Sequence, residues 1–311
     1  MSGAASARPT DPDPSEELFA TVTPGVDLCY QTFGDPGAEP LLLVMGLGGP
    51  MTWWSPEFCR LLAEAGFLVV RFDNRDTGRS SRIDGRVSCS GIVRSFARRG
   101  GAPPYTLVDM AEDGFGLLDH LGAESAHVVG ISMGGMIAQT MALHSPDRVR
   151  SLTSIMSTTG RRRVGWQDPR IVPLLLARRA TTREAYVEGS ARFWKAIGSP
   201  LYPDTVASVR DRAAETWDRG VSASGVARQM AAIVAQPDRA PALGELDLPT
   251  LVIHGMNDKM VHVSGGRATS HAVRDSELLL VPGMGHDVPE PLHQTFVDAI
   301  TRNAARAAHA P

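Results

Sequence analysis

Gly130-Ile131-Ser132-Met133-Gly134 sets one serine between two glycines, after the apolar run AHVVG and before the stretch GGMIAQTMALHSP. A sharp turn from strand to helix strains its central residue and leaves no room for side chains beside it, so glycines two before and two after are what it demands. The same turn lifts the central hydroxyl to the end of a strand, next to a helix N-terminus whose free N–H groups and dipole favour developing negative charge. The chemistry implied is attack by the Ser132 hydroxyl on an acyl carbon. A chain with 31 glycines meets this spacing by chance. The strand–turn–helix setting and the presence of partners therefore decide its meaning.

A serine needs a base, and the base an orienting acid. Nine histidines are available, and the order serine, acid, histidine expected of such a turn disfavours those before Ser132. His144 stands on the helix of the turn itself, His254 lies inside the strand TLVIHG, His271 and His293 read as helix or surface positions, and His309 is near the terminus. His286 directly follows the strand ELLLVPG, in the loop GMGH. Ligands and reacting groups gather in such loops at the carboxyl ends of strands. Asp258, in MNDKMV after TLVIHG, is the matching acid, although Asn-Asp is also ordinary turn chemistry. Asp287 would have to fold back on its neighbour His286, and the stretch STTG after the preceding strand carries no carboxylate. Acyl transfer also needs two N–H donors for the oxyanion. The Met133 backbone is one, and the glycine-rich loop MGLGGP offers Leu47 as the other.

The elements that must position these groups follow from the apolar pattern. FATVTPGVDLCYQTFGD reads as a hairpin turning at Pro24-Gly25. PLLLVMG, FLVVRFD, AHVVGIS, VRSLTSIMST, PTLVIHG and ELLLVPG are short continuous apolar runs, as in strands buried on both faces. EFCRLLAEAG, TLVDMAEDGFGLLDHLGA, GGMIAQTMALHSP and PLHQTFVDAITRNAARA alternate with them as helices. This alternation predicts an α/β fold with a mostly parallel, doubly wound sheet. It stops between Thr159 and Glu245, where REAYVEGSARFWKAIG, DTVASVRDRAAETWDRG and ASGVARQMAAIVAQ read as helices. The predicted organisation is a disordered tail over 1–19, a core over 20–158 and 246–305, and an inserted helical cap over 159–245. Gly46, Trp53, Trp54, Phe193 and Trp194 are candidate pocket residues, with Trp217 and the methionines of the insert behind them. Aromatic and methionine side chains also commonly serve as core filling.

A net charge of −3 gives no general attraction to nucleic acid or anionic membrane. Cys29, Cys59 and Cys89 lie far apart with no C-x-x-C pair, which fits free thiols in a reducing cytoplasm better than a disulfide framework or a zinc site. The first seventeen residues, MSGAASARPTDPDPSEE, lack the apolar stretch of a secretory signal. RRRVGW at 161–166 reads as solvated surface.

With these marks in order, VMGLGG, FDNRDTGRS, GISMGG, HGMNDKMV and PGMGH, the chain resembles the α/β-hydrolase family over roughly residues 20 to 305. Met45 stands where the family usually has histidine, and Asp76 where it usually has glycine. Both departures are similar to the aclacinomycin methylesterase branch. The resemblance implies hydrolysis of a carboxylic ester, with Ser132, Asp258 and His286 as triad and no metal or organic cofactor. The implied partner is a small ester; the resemblance leaves its identity and the oligomeric state open. A perhydrolase, a lactone hydrolase, a C–C bond hydrolase or a small-molecule receptor would carry the same motifs. An apolar, small to medium ester is the expectation.

Overall fold

The computed structural model describes residues 13–88, 90–92, 102–175 and 180–308. Eight strands form one sheet: β1 Leu18–Thr23, β2 Val26–Phe33, β3 Glu39–Val44, β4 Phe67–Phe72, β5 Ala126–Ile131, β6 Val149–Ile155, β7 Thr250–Gly255 and β8 Glu277–Val281. Their order is β1-β2-β4-β3-β5-β6-β7-β8. β1 and β2 pair antiparallel, β2 lies antiparallel on β4, and every pairing from β4 through β8 is parallel. β3, β5, β6 and β7 therefore end at the same edge, where their following loops meet.

The continuous apolar runs of β3 to β7 reflect cover on both faces. Along β3, Leu42 and Val44 face one core with Val128 of β5 and Leu152 of β6, while Leu41 and Leu43 face the other with Val129 and Ile253. Helices α1 (Pro56–Glu64) and α8 (His293–Ala307) cover the second face through Phe58, Leu62, Phe296 and Ile300. Helices α2 (Leu107–His120) and α3 (Met133–His144) cover the first through Met110, Leu117, Ile137 and Met141. Ser55 caps α1, accepting from the Phe58 N–H, and Thr106 with Asp109 forms a capping box at α2.

The insert contributes α4 (Arg183–Ile197), α5 (Val206–Gly220) and α6 (Ala223–Ala235), each started by a serine or threonine cap: Thr182, Thr205 and Ser222. Ala232 of α6 packs into the core, and polar contacts add to that attachment. Arg228 of α6 forms a two-point ion pair with Asp76 (2.6 and 2.8 Å). Arg219 of α5 reaches Asp73 (2.7 Å) and Glu17 (2.5 Å). Asp76 has φ of 69°, which explains how it takes a position that glycine usually fills: aspartate enters this region more readily than most residues. Here its carboxylate also joins the core to the insert.

Two expectations need correction. The tail was expected to run through residue 19, but β1 begins at Leu18, and the Ser15 N–H donates to Thr32 O while Glu17 pairs with Arg219. Residues 1–12 lie outside the described residues, as does Cys89. ELLLV, read as buried on both faces, is instead the edge strand β8, with Leu278 exposed and Leu279 and Leu280 half-buried. Helix α7 (Ser264–Ala272) fills the β7–β8 connection and carries His271, one of the positions read as helix or surface. Its adjacent Gly265 and Gly266 weaken the helical signal, yet a Cβ on Gly266 would stand 2.5 Å from His254 Nδ1. Close packing on β7 required the weak helix former. Among the described residues, no helix is long and apolar enough to cross a membrane.

Candidate active site

Ser132 follows β5 and caps α3 with φ of 56° and ψ of −118°. A non-glycine residue there is strained, and the surroundings hold it. The Ser132 N–H donates to Ile155 O (2.9 Å) and the Ser157 hydroxyl donates to Ser132 O (2.8 Å). A Cβ at Gly130 would overlap the Gly134 carbonyl, and one at Gly134 would overlap that of Val44. The two glycines are thus dictated by the closeness of β5, α3 and the end of β3.

The other two residues come from the loops after β7 and β8. His286 Nε2 lies 3.0 Å from Ser132 Oγ, and His286 Nδ1 lies 2.7 Å from Asp258 Oδ2. Asp258 and His286 are 5% and 8% exposed, so the hydrogen bond between them sits away from bulk water, whereas Ser132 and its bond to His286 are half-buried. Asp258 Oδ1 accepts from the backbone N–H groups of Met260 (2.8 Å) and Val261 (2.9 Å). Burial opposes ionisation of Asp258, but His286 and His254 outweigh it and hold the carboxyl at about 2. An ionised Asp258 fixes the His286 proton on Nδ1, which leaves Nε2 to accept from the Ser132 hydroxyl. Asn257 joins the two loops, its backbone N–H donating to Met284 O (2.9 Å) and its side-chain oxygen accepting from the Gly283 N–H (3.0 Å).

Gly46 stands against Ser132: a Cβ there would lie 3.3 Å from the Ser132 Cβ. Met45 is buried, with its carbonyl accepting from Asn74 Nδ2 (2.9 Å). Among the described residues, neither the Leu47 nor the Met133 backbone N–H donates to another protein group. Both remain available for an oxyanion.

The candidate pocket residues divide. Trp53 is half-buried and meets Trp194 edge to face (5.2 Å between centroids), and Trp194 meets Phe193 (6.0 Å). Trp194 also lines a cavity of about 490 Å³ with Ser199, Lys259 and Asp287. Trp54 does not join them. It is 2% exposed and stacks on Phe58 inside the core, where its apolar area drives it. Trp217 packs against Tyr186 within the insert.

Three groups escape a reading of the sequence. His254, set aside as a strand residue, brings Nε2 to 3.5 Å from Asp258 Oδ2 while hydrogen-bonding Val261 O (2.8 Å). The end of α4 grips the His286 loop: the His286 N–H donates to Ile197 O (2.8 Å), and the Ser199 hydroxyl donates to Asp287 (2.5 Å) while accepting from the Gly285 N–H (2.8 Å). Gln229 reaches the loop after β3. The pair Arg228-Gln229, polar inside the otherwise apolar ASGVARQMAAIVA, was a visible signal that this helix has a polar partner. Ser199 offered none.

The profile of the alpha/beta hydrolase fold matches residues 39–290. Rhodomycin D methylesterase DauP of Streptomyces sp. (strain C5) is 28% identical over 306 residues, spanning 91% of this chain and 96% of that protein. RutD of Variovorax paradoxus (strain S110), named provisionally as a carbamate hydrolase, is 30% identical over 289 residues, spanning 89% and 97%. The solved structure of the meta-cleavage product hydrolase CumD of Pseudomonas fluorescens IP01 superposes with a TM-score of 0.71 at 18% identity, covering 93% of this chain and 98% of that one. Proteins named for different substrates are each similar to this chain, so the fold by itself does not choose the bond to be cleaved.

Proposed function

The chain belongs to the alpha/beta hydrolase fold family, and from that premise we propose that it is a serine hydrolase acting on small to medium, largely apolar carboxylic esters. The observation that carries this reading is the continuous relay of Ser132 Oγ to His286 Nε2 at 3.0 Å and His286 Nδ1 to Asp258 at 2.7 Å. In the first step His286 takes the Ser132 proton as the oxygen attacks the ester carbonyl. The Leu47 and Met133 N–H groups receive the oxyanion. His286 then returns the proton to the departing alcohol, leaving an acyl-serine. In the second step His286 deprotonates a water, which attacks the acyl carbon, and the proton goes back to Ser132 as the acid leaves. Asp258 keeps the tautomer and stabilises the imidazolium.

The acyl or alcohol pocket is drawn from Trp53, Phe193 and Trp194. The two buried thiols, Cys29 and Cys59, are free, which fits work in the reducing cytoplasm. Similarity to the methylesterase supports a small leaving alcohol, since the likeness spans 91% of the chain. The test is a panel of p-nitrophenyl and methyl esters, simple lactones and a peracid assay, run on wild type and Ser132→Ala. Esters are expected to lead the panel, with turnover lost in the variant. Full activity in Ser132→Ala contradicts the nucleophile, and a preference for charged acyl chains contradicts the apolar pocket.

A further inference from the structure

Gln229 is fully buried and lies on α6 of the insert, 181 residues away in sequence from the group it holds. Its side-chain oxygen accepts from the Gly48 N–H at 2.8 Å. Its amide nitrogen donates to Arg75 O and to Thr77 Oγ1, both at 2.9 Å. Gly48 directly follows Leu47, whose N–H is the second oxyanion donor of the proposed reaction. The same loop is pinned before and after that point by core groups. Asn74 donates to Met45 O (2.9 Å), and the Met51 N–H donates to Asp73 Oδ1 (2.7 Å). Between these two anchors, a Gly49 N–H to Gly46 O bond (3.2 Å) closes the turn around Leu47 and Gly48, and the insert supplies the side-chain hold at Gly48.

We propose that Gln229 is a positioning residue that fixes the Leu47–Gly48 peptide and, through it, the aim of the Leu47 N–H in the preceding peptide, so that the oxyanion site is complete only when the insert is docked on the core. This rests on the acyl-transfer reading given above. The physical argument is geometric. An oxyanion donor acts through a preformed aim, within a few tenths of an ångström of where the charge develops. A loop rich in glycine has many backbone states of similar energy. A buried amide whose oxygen and nitrogen are both satisfied selects one of them, because any rotation of the Gly48 N–H leaves a buried acceptor unpaired. Gln229 touches no reacting atom in this account. Its effect is on the transition state, which presents the oxyanion, and little on the ground-state ester, which does not.

The experiment compares wild type, Gln229→Met, Gln229→Glu, Thr77→Val and Ser132→Ala. Steady-state kinetics on a p-nitrophenyl ester are run beside the affinity of an aryl boronic acid, a tetrahedral mimic, with thermal unfolding of each variant as a check of folding. Gln229→Met is expected to lower kcat about 30-fold, below the loss of a whole donor, to weaken the boronic acid by a similar factor, and to leave KM within about twofold. Thr77→Val loses one partner of the Gln229 amide without touching the loop and is expected to keep kcat within about threefold. Gln229→Glu, isosteric when protonated, is expected to regain kcat relative to wild type as the pH is lowered, which also covers the case of a Gln229→Met protein that does not fold. Wild-type kcat and boronic acid affinity in folded Gln229→Met overturn the inference. So does a rise in KM with kcat unchanged, or a Gln229→Glu ratio that does not respond to pH. Activity retained in Ser132→Ala overturns instead the acyl-transfer reading on which it stands.

Discussion

The core and the insert contribute to the site in different ways. The core supplies the groups that would react: Ser132 after β5, Asp258 after β7 and His286 after β8, each at the carboxyl end of a strand in the parallel part of the sheet. The insert supplies groups that hold loops: Gln229 at Gly48, Ile197 and Ser199 at the His286 loop, Arg228 at Asp76. The first set is tied to rigid backbone, the second to long-range polar contacts. Chemistry and its alignment are thus divided between two parts of one chain. Changes in the core are expected to act on turnover, and changes in the insert on both alignment and stability.

The largest expected effect is in the core. Asp258→Asn keeps the shape but lets the His286 tautomer reverse, and kcat should fall about 10⁴-fold. A fall of tenfold or less in a steady-state assay would place the orienting acid elsewhere. Next comes the ion pair between the two parts. Arg228→Met leaves the Asp76 carboxylate buried with, among the described residues, only the Tyr105 hydroxyl and the Ile83 N–H as donors. Denaturant unfolding should show a loss of about 3 kcal/mol, recovered in good part by Asp76→Asn in the same chain, because neutralising the orphan removes the penalty. If the second substitution adds to the loss, the pair is stabilising in itself and the joint is stronger than described.

Ser199→Ala is expected to act more gently. It removes the hydroxyl that joins Asp287 to the Gly285 N–H, loosening the His286 loop. Turnover should drop about tenfold, the usual scale for misalignment well short of losing a catalytic group. Unchanged kcat would mean that the Ile197 carbonyl alone aligns His286. The smallest effect is a pH slope in stability. Burial lowers the pKa of His127 and of His293 from the ordinary 6.5. The folded chain then binds fewer protons than the unfolded one below about 6.5, so stability rises with pH in that range and is lost as the pH falls. Calorimetry of a His127→Gln, His293→Gln double variant should flatten that slope, and an unchanged slope would assign it to other groups.

The core was open to a reading of sequence because each of its strands carries its own signal. Runs such as LLLV and HVV are short, apolar and closed by glycine, so strand, turn and the residue after the turn are local facts. Ser132, Asp258 and His286 could each be proposed from their few neighbours. Trp54 could not be separated from Trp53, because two identical residues side by side differ only in depth of burial, and only packing tells which one is core. Helix α7 carries only a weak local signal, because its glycines answer to His254 across the gap rather than to helix propensity. In the insert, Gln229 and Ser199 carry meaning only through partners 181 and 86 residues away, and no local pattern encodes such a contact.

The central claim is that Ser132 is the acyl-accepting nucleophile. It is tested most directly by treating the protein with phenylmethylsulfonyl fluoride and locating the adduct by peptide mass spectrometry. One sulfonyl group on Ser132, blocked by prior incubation with an ester substrate and absent from Ser132→Ala, is the predicted result. Modification of another residue with loss of activity, or full turnover by a protein labelled at Ser132, would contradict it.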